Sequence, residues 1–344
     1  MEFAAYGDLH FDKLDGLIPD VNAKIGKSIE RVLDWSLDRG IEHAFQLGDV
    51  ADKSRMGYES HLALLNVVSR KRYRGMSLHF LMGNHDFAEN GVYSLQVLEL
   101  VSKWLGSNIE VYTQPKKFNI QGVPFLALPH PFTETSKDRI NLIHYEVKGS
   151  TMDSGRMFDG GPVNKHVCLG GHLHTNHRVR NTHYCGTLFQ TNFGESLPKF
   201  FHHVTATGPS PKDVEVENIK FEPPWKLLNL TVNSVSDLDQ IENDPNTFYK
   251  LFMKDGLDLD INQVLVRHPN IVRHNTFKSK ADLEVLTKRD WDFDTDVADA
   301  AAVDIDEREV VLEFLPSIGL KKRERRRAVE ILERVTGAAP GKWS

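Results

Sequence analysis

At 344 residues the chain exceeds the usual size of a single domain, so one large domain with a smaller one is the natural expectation. With 40% hydrophobic and 26% charged residues it has the composition of a soluble globular protein, and no apolar run approaches the length of a membrane span. A net charge of -6 argues against a protein that grips nucleic acid by bulk positive charge alone, although bound divalent cations, which that count omits, leave a nucleic-acid enzyme open. The two cysteines, Cys168 and Cys185, make no disulfide framework, and residues 1–6 enter a strand with no basic leader; a reducing, cytoplasmic setting is expected.

Taken in order, residues 2–7 read as a strand ending in Gly7-Asp8-Leu9-His10. Apolar residues at 21, 25, 29, 32, 33 and 37 predict an amphipathic helix, with Gly40 as its stop. A second strand, 42–47, ends in Gly48-Asp49, and a helix is expected over 58–70. A third strand, 76–82, ends in Gly83-Asn84-His85-Asp86, before a helix over 94–105. Three units of strand, polar tip and helix make a layered α/β pattern, in which ligands sit beyond the carboxyl ends of the strands.

Short β segments then dominate, at 109–113, 117–121, 123–128, 139–144, 166–170, 183–185 and 200–205. Three of them end in further histidines: His130, His144 and Gly171-His172-Leu173-His174. The loop 146–163 is glycine-rich and long enough to face a substrate. Turn residues at 207–211 and Pro223-Pro224 place a boundary between 205 and 225. The expected division is 1–205 as the main domain, 206–225 as linker, 226–315 as a smaller α+β domain and 316–344 as a C-terminal helical segment. In the later region strands are expected at 213–220, 227–233, 246–254 and 262–267, and a helix from 280. The acidic stretch 290–296 lacks the glycine and glutamate of a calcium loop and reads as a solvated or capping segment. A last helix over 319–335 opens with a basic run at 321–327, suited to a solvated face or to a DNA or partner contact.

The strand-end residues are Asp8, His10, Asp49, Asn84, His85, His144, His172 and His174. Asn and His at one strand end serve equally well as turn formers; the succession is what points to a metal centre. Oxygen and imidazole nitrogen together suit Mn, Fe or Zn rather than Ca. Asp8 and His10, like His172 and His174, stand two apart, sharing a face in a strand or closing on one ion in a loop. His130 and His177 stay outside this set.

The series Asp8-Leu9-His10, Gly48-Asp49, Gly83-Asn84-His85-Asp86, His144 and Gly171-His172-Leu173-His174 resembles, in order and without a gap, the motifs of the calcineurin-like metallophosphoesterases. That resemblance implies an α/β fold, a layered β-sandwich flanked by helices, and two divalent ions, most often Mn with Mg, Zn or Fe as alternatives. It implies Asp8, His10 and His174 as ligands of one ion, Asn84, His144 and His172 of the other, and Asp49 bridging both. His85 would face the phosphate as a catalytic residue, with Asp86 orienting it or holding the loop.

Tyr184-Cys185-Gly186-Thr187 and then Phe193-Gly194-Glu195 resemble a segment of the SbcD-like branch, the nuclease subunits of DNA double-strand-break repair complexes. Cys185 and Thr187 depart from that branch's usual residues, and Val50-Ala51-Asp52 carries a smaller residue than the branch has before its aspartate. The likeness implies a capping domain and C-terminal helix, an SMC-like ATPase partner, a homodimer formed through helices of 58–105, and nuclease action at DNA ends. Arg178 and Arg180 could meet a phosphate backbone, and Phe132, Met157 and Phe158 could stack on a DNA end or simply pack. Two other functions stay open: a small-molecule phosphatase or nucleotide phosphodiesterase, and a non-catalytic scaffold.

Overall fold

In a computed structural model, which describes residues 1–88, 91–105, 108–152 and 155–288, the first strand already shows the layering. β1 (Glu2–Tyr6) sends Phe3 and Ala5 into one core and Ala4 and Tyr6 into another, as the two-residue period of a strand buried on both faces requires. The chain continues through α1 (Val21–Leu37), β2 (His43–Gln46), α2 (Tyr58–Val68), β3 (Ser77–Leu81), α3 (Gln96–Leu105) and β4 (Ile109–Tyr112). Next come β5 (Lys116–Ile120), β6 (Val123–Leu128), β7 (Ile140–Ile143), β8 (Cys168–Gly170), β9 (His177–Val179), β10 (Thr182–Tyr184), β11 (Lys199–Ala206) and β12 (Val214–Phe221). β13 (Lys226–Val232), β14 (Thr247–Lys254), α4 (Ile261–Arg267), β15 (Ile271–Phe277) and α5 (Lys280–Lys288) complete the described elements.

The strands form two mixed six-stranded sheets, ordered β12-β11-β1-β2-β3-β4 and β5-β6-β7-β8-β10-β9. β1 to β4 run parallel, as do β6, β7, β8 and β10. Between the sheets lie Phe3, Phe45 and Phe125, with ring centroids 5.1–5.6 Å apart. The outer face of the first sheet is covered by α1, α2 and α3, whose Ile25, Ile29, Val32, Leu64 and Leu98 share a core with Ala4, Tyr6 and Phe80. Gly40 ends α1 at φ 70°, its N–H bonding to the Leu37 carbonyl at 3.0 Å.

A separate three-stranded parallel sheet, β13-β14-β15, has its own core of Val232, Leu251, Val264 and Ile271. Trp225, Leu227 and Phe248 pack instead with the helix layer, and Trp225 Nε1 donates to the Gln190 carbonyl at 2.8 Å. Residues 262–267 are helical rather than extended. The Asp260 side chain accepts the Asn262 N–H at 3.0 Å, and Ile261, Val264 and Leu265 take one face, so a β-branched run is read on a helical period. Within the stretch expected as linker, residues 214–221 form β12 and pair along all eight residues of β11. Strands β9 and β15 carried no clear sequence signal, being three residues long and rich in polar residues respectively. The acidic stretch 290–296, the basic run 321–327 and the helix expected over 319–335 lie outside the described residues. Among the described residues no helix is long and apolar enough to cross a membrane.

Candidate metal centre

Asp8 follows β1, Asp49 follows β2, Asn84 follows β3, His144 follows β7 and His172 follows β8, so parallel strands of both sheets deliver their tips to one place. The tips are stitched together. Leu9 and His10 donate their N–H groups to the Asp49 carbonyl at 2.9 and 3.1 Å, and His144 Nδ1 lies 2.7 Å from the Leu47 carbonyl. His10, Asp49 and His172 hold left-handed backbone, φ 44°, 53° and 77°, a conformation that costs a non-glycine residue energy and persists where the surroundings enforce it. Two glycines permit the approach. A Cβ on Gly48 would fall 2.1 Å from His144 Nδ1, and one on Gly83 would fall 2.1 Å from Asp49 Oδ1.

The hydrogen bonds decide which ring nitrogens face inward. His144 gives its Nδ1–H to Leu47, so Nε2 is the nitrogen that faces Asp49 Oδ2 and Asn84 Oδ1, each at 3.1 Å. His172 Nε2 lies 3.0 Å from Glu146 Oε1, leaving Nδ1 against Asn84 Oδ1 at 2.9 Å. His174 Nδ1 lies 2.9 Å from Glu195 Oε1, and its Nε2 meets His10 Nε2 at 3.0 Å. His10 Nε2 is 3.9 Å from Asp49 Oδ2, and His174 Nε2 is 4.0 Å from Asp8 Oδ2. Asp8 Oδ2 is buried without a hydrogen-bond partner. Lone pairs set against lone pairs repel unless a cation stands between them, and a buried carboxylate oxygen left unpaired is costly for the same reason. This donor set fits metal ions.

Charge follows geometry. Burial opposes the charged form of His144, yet Asp49 and then Asp8 push its pKa up to about 10. The two carboxylates favour a positive charge at Nε2, which a proton or a metal ion in its place would supply. Burial acts to raise Asp49, but the pull of His144 outweighs it and holds this carboxyl well below its ordinary range. For Asp8 burial prevails, assisted by Asp49, and the pKa rises. Burial and Lys13 bring His10 down to about 4.

Two groups satisfy metal-ligand proximity, with all ligand atoms of a group within 4.8 Å of one another: Asp49, His144 and His172, and His10, Asp52 and His85. His10 thus faces two ways. Its Nδ1 is 3.4 Å from Asp52 Oδ1, while its Nε2 turns to His174 and Asp49. His85 is half-buried, edge-on to His10 at 4.9 Å; its Nδ1 lies 2.9 Å from the Asp52 carbonyl and its N–H reaches Asp49 Oδ1 at 2.9 Å. Asp86 is fully buried and turned to the loop backbone. It accepts from the N–H groups of Gly83 (2.9 Å), Val50 (3.2 Å) and Ala51 (3.0 Å) and from the Ser94 hydroxyl (2.6 Å).

Behind His174, Glu195 also accepts from Lys199 Nζ (2.5 Å), the Thr191 hydroxyl (2.5 Å) and the Thr187 hydroxyl (3.2 Å). Burial works to raise Glu195, but Lys199 and His174 hold it well below the usual range. Thr187, a departure from the branch pattern, therefore serves the carboxylate that holds a histidine. Cys185 lies buried with its Sγ 3.3 Å from His202 Nδ1. Glu146 is held down to about 2 by its bond to His172, against the opposing effect of burial. Sequence reasoning did not single out Glu146 or Asp52 as site residues. The available signal was a carboxylate two or three positions past a strand-end ligand. His177 stays apart: its Nδ1 lies 2.8 Å from the Thr175 carbonyl and its ring stacks on Tyr184.

Two mixed sheets with flanking helices, carrying two His/Asp clusters at the strand tips, make the calcineurin-like α/β metallophosphoesterase fold with a candidate dinuclear metal centre. Compared with known proteins, the chain matches no family model and no curated protein.

Proposed function

We propose that this chain is a dinuclear, metal-dependent DNA nuclease. It would hydrolyse phosphodiester bonds at DNA ends as a 3′-to-5′ exonuclease on duplex and an endonuclease on single strands. The observation that carries the hydrolase part is the convergence of imidazole lone pairs and carboxylate oxygens at the shared tip of both sheets. The DNA substrate rests on the sequence likeness of Tyr184–Thr187 and Phe193–Glu195 to nuclease subunits.

Asp8, His10 and His174 would hold one ion and Asn84, His144 and His172 the other, with Asp49 shared. The Nε2 side of His10 is preferred for the first ion because Asp8 Oδ2 waits there unpaired and His174 has its other nitrogen taken by Glu195. Bound ions supply a water of lowered pKa and positive charge for the phosphoryl oxygens, and Mn suits this mixed N/O set. The protein's own part falls to the loop after β3. The Asp52 carbonyl accepts the Nδ1–H of His85, so a proton on Nε2 requires the imidazolium form. In that form Nε2 would donate to a phosphoryl oxygen or hand its proton to the departing oxygen, leaving a neutral ring with its proton on Nδ1. Asp86 keeps that loop in shape rather than touching the ring. An SMC-like ATPase partner, homodimerisation through α2 and α3, and a role in repair, recombination or DNA degradation belong to the same reading.

The test sets linear duplex, closed circular and single-stranded DNA beside small phosphate esters, each with Mn, Mg or Zn. Mn-dependent degradation of linear duplex is expected. Release of phosphate from small esters with DNA left intact would favour the phosphatase reading.

A further inference from the structure

The histidine ligands His144, His172 and His174 each have the remaining ring nitrogen held by a neighbour, and the holders differ in kind. The Leu47 carbonyl holds His144, and Glu195, 1% exposed and bonded to Lys199, Thr187 and Thr191, holds His174. His172 is held by Glu146, whose side chain is 27% exposed and stands at the root of the 146–163 loop. That loop folds back on its own base. Lys148 N–H donates to the Pro162 carbonyl at 3.0 Å, Gly149 N–H to the Phe158 carbonyl at 2.7 Å, and a Cβ on Gly161 would come within 2.9 Å of the Glu146 carbonyl oxygen. His172 takes left-handed backbone, so two contacts fix it against Asn84: its N–H on Asp8 Oδ1 at 3.0 Å and its ring on Glu146 at 3.0 Å.

We propose that Glu146 is a positioning residue for the second ion: by accepting the Nε2–H of His172 it makes Nδ1 the liganding atom and ties that ligand to the 146–163 loop. The inference rests on the dinuclear reading above. A neutral imidazole carries its proton on either nitrogen, and a carboxylate acceptor on Nε2 selects the tautomer whose lone pair is at Nδ1 and strengthens it as a donor. Glu195 does the same for His174 from a fully enclosed position. The support behind His174 is therefore enclosed in the core, and the one behind His172 stands on a partly exposed loop residue.

Manganese binding to the full chain, measured by isothermal titration with Mn electron paramagnetic resonance, reads this without turnover. Wild type is expected to take two ions. Glu146→Ala is expected to keep one at wild-type affinity and to weaken the other roughly 10- to 100-fold, the usual effect of removing such a support. Glu146→Gln keeps an acceptor oxygen at the same reach and should recover most of the loss; Glu146→Asp keeps the charge but withdraws it and should not. Thermal unfolding of the metal-free variants should match wild type, because the side chain is partly exposed. Unchanged affinity for both ions in Glu146→Ala or Glu146→Asp, or equal weakening of both ions, overturns the inference and leaves the dinuclear reading standing. A wild type that takes fewer than two ions overturns both.

Discussion

Asp86 and His85 are neighbours in sequence with opposite duties. Asp86 gathers three backbone N–H groups and the Ser94 hydroxyl in a site with no solvent access. Removing its carboxylate strands those donors, each worth about 1–3 kcal/mol when buried without a partner. Asp86→Ala should therefore lower unfolding stability by about 4 kcal/mol, allowing for partial relaxation. His85→Ala, at a half-buried ring, should stay within about 1 kcal/mol of wild type; denaturant unfolding of the metal-free proteins compares the two. The gathering of Asp8, Asp49, Asn84, His144 and His172 was legible because each follows the end of a strand within three residues. Glu146, Asp52 and Glu195 were harder to assign, because they act through the far nitrogen of a histidine or through a backbone carbonyl. The short spacing of Glu146 and Asp52 from a strand-end residue is a weak signal, and Glu195 lies 21 positions from His174. The duty of Asp86 was equally hidden: its tetrapeptide does not say whether a carboxylate faces a ring or four donors.

The strand-to-loop turn after β3 is the element on which the centre depends. At Gly83 an added methyl would sit 2.1 Å from Asp49 Oδ1 and 2.3 Å from its backbone nitrogen, neither of which can move aside without displacing the left-handed Asp49. Gly83→Ala should cost about 1–3 kcal/mol of stability and should also lose manganese, measured by titration of the folded variant. Retention of both ions would show that the tip tolerates movement. β1, β2 and β3 were readable as short apolar runs buried on both faces, and α1 because its apolar residues share one face. The run Ile261–Arg267 misled because its β-branched residues suit either period, and the Asp260 cap and the small domain's core decide for a helix. β12 was legible as a strand but not as part of the main sheet. Its partner β11 supplies that information, and partners across a sheet leave little trace in local sequence.

Across the whole molecule, burial of neutral histidines away from the candidate metal centre contributes to acid sensitivity. Burial, with His43 and Lys116, brings His79 down to about 3, and burial with His183 brings His202 down to about 3. The unfolded chain binds these protons first, so stability is full above about pH 6.5 and drains as pH falls toward 3. His79 stacks on Phe45 at 4.2 Å and lies near Phe118, a setting that suits an aromatic replacement apart from the 2.8 Å bond to the Tyr112 hydroxyl. Relative to wild type, His79→Phe should flatten the rise of stability with pH between 3 and 6.5 by up to about 1.4 kcal/mol per pH unit. Parallel slopes in denaturant melts across that range would contradict this. The most direct test of the proposed nuclease counts bound manganese and nucleotide release from linear duplex DNA on the same samples of wild type and His85→Ala. Two ions are expected in both proteins, with degradation by wild type and a loss of roughly 10²- to 10⁴-fold or more in the variant. Wild type that binds two ions and leaves the DNA intact, or a variant that loses metal along with activity, would contradict the proposal.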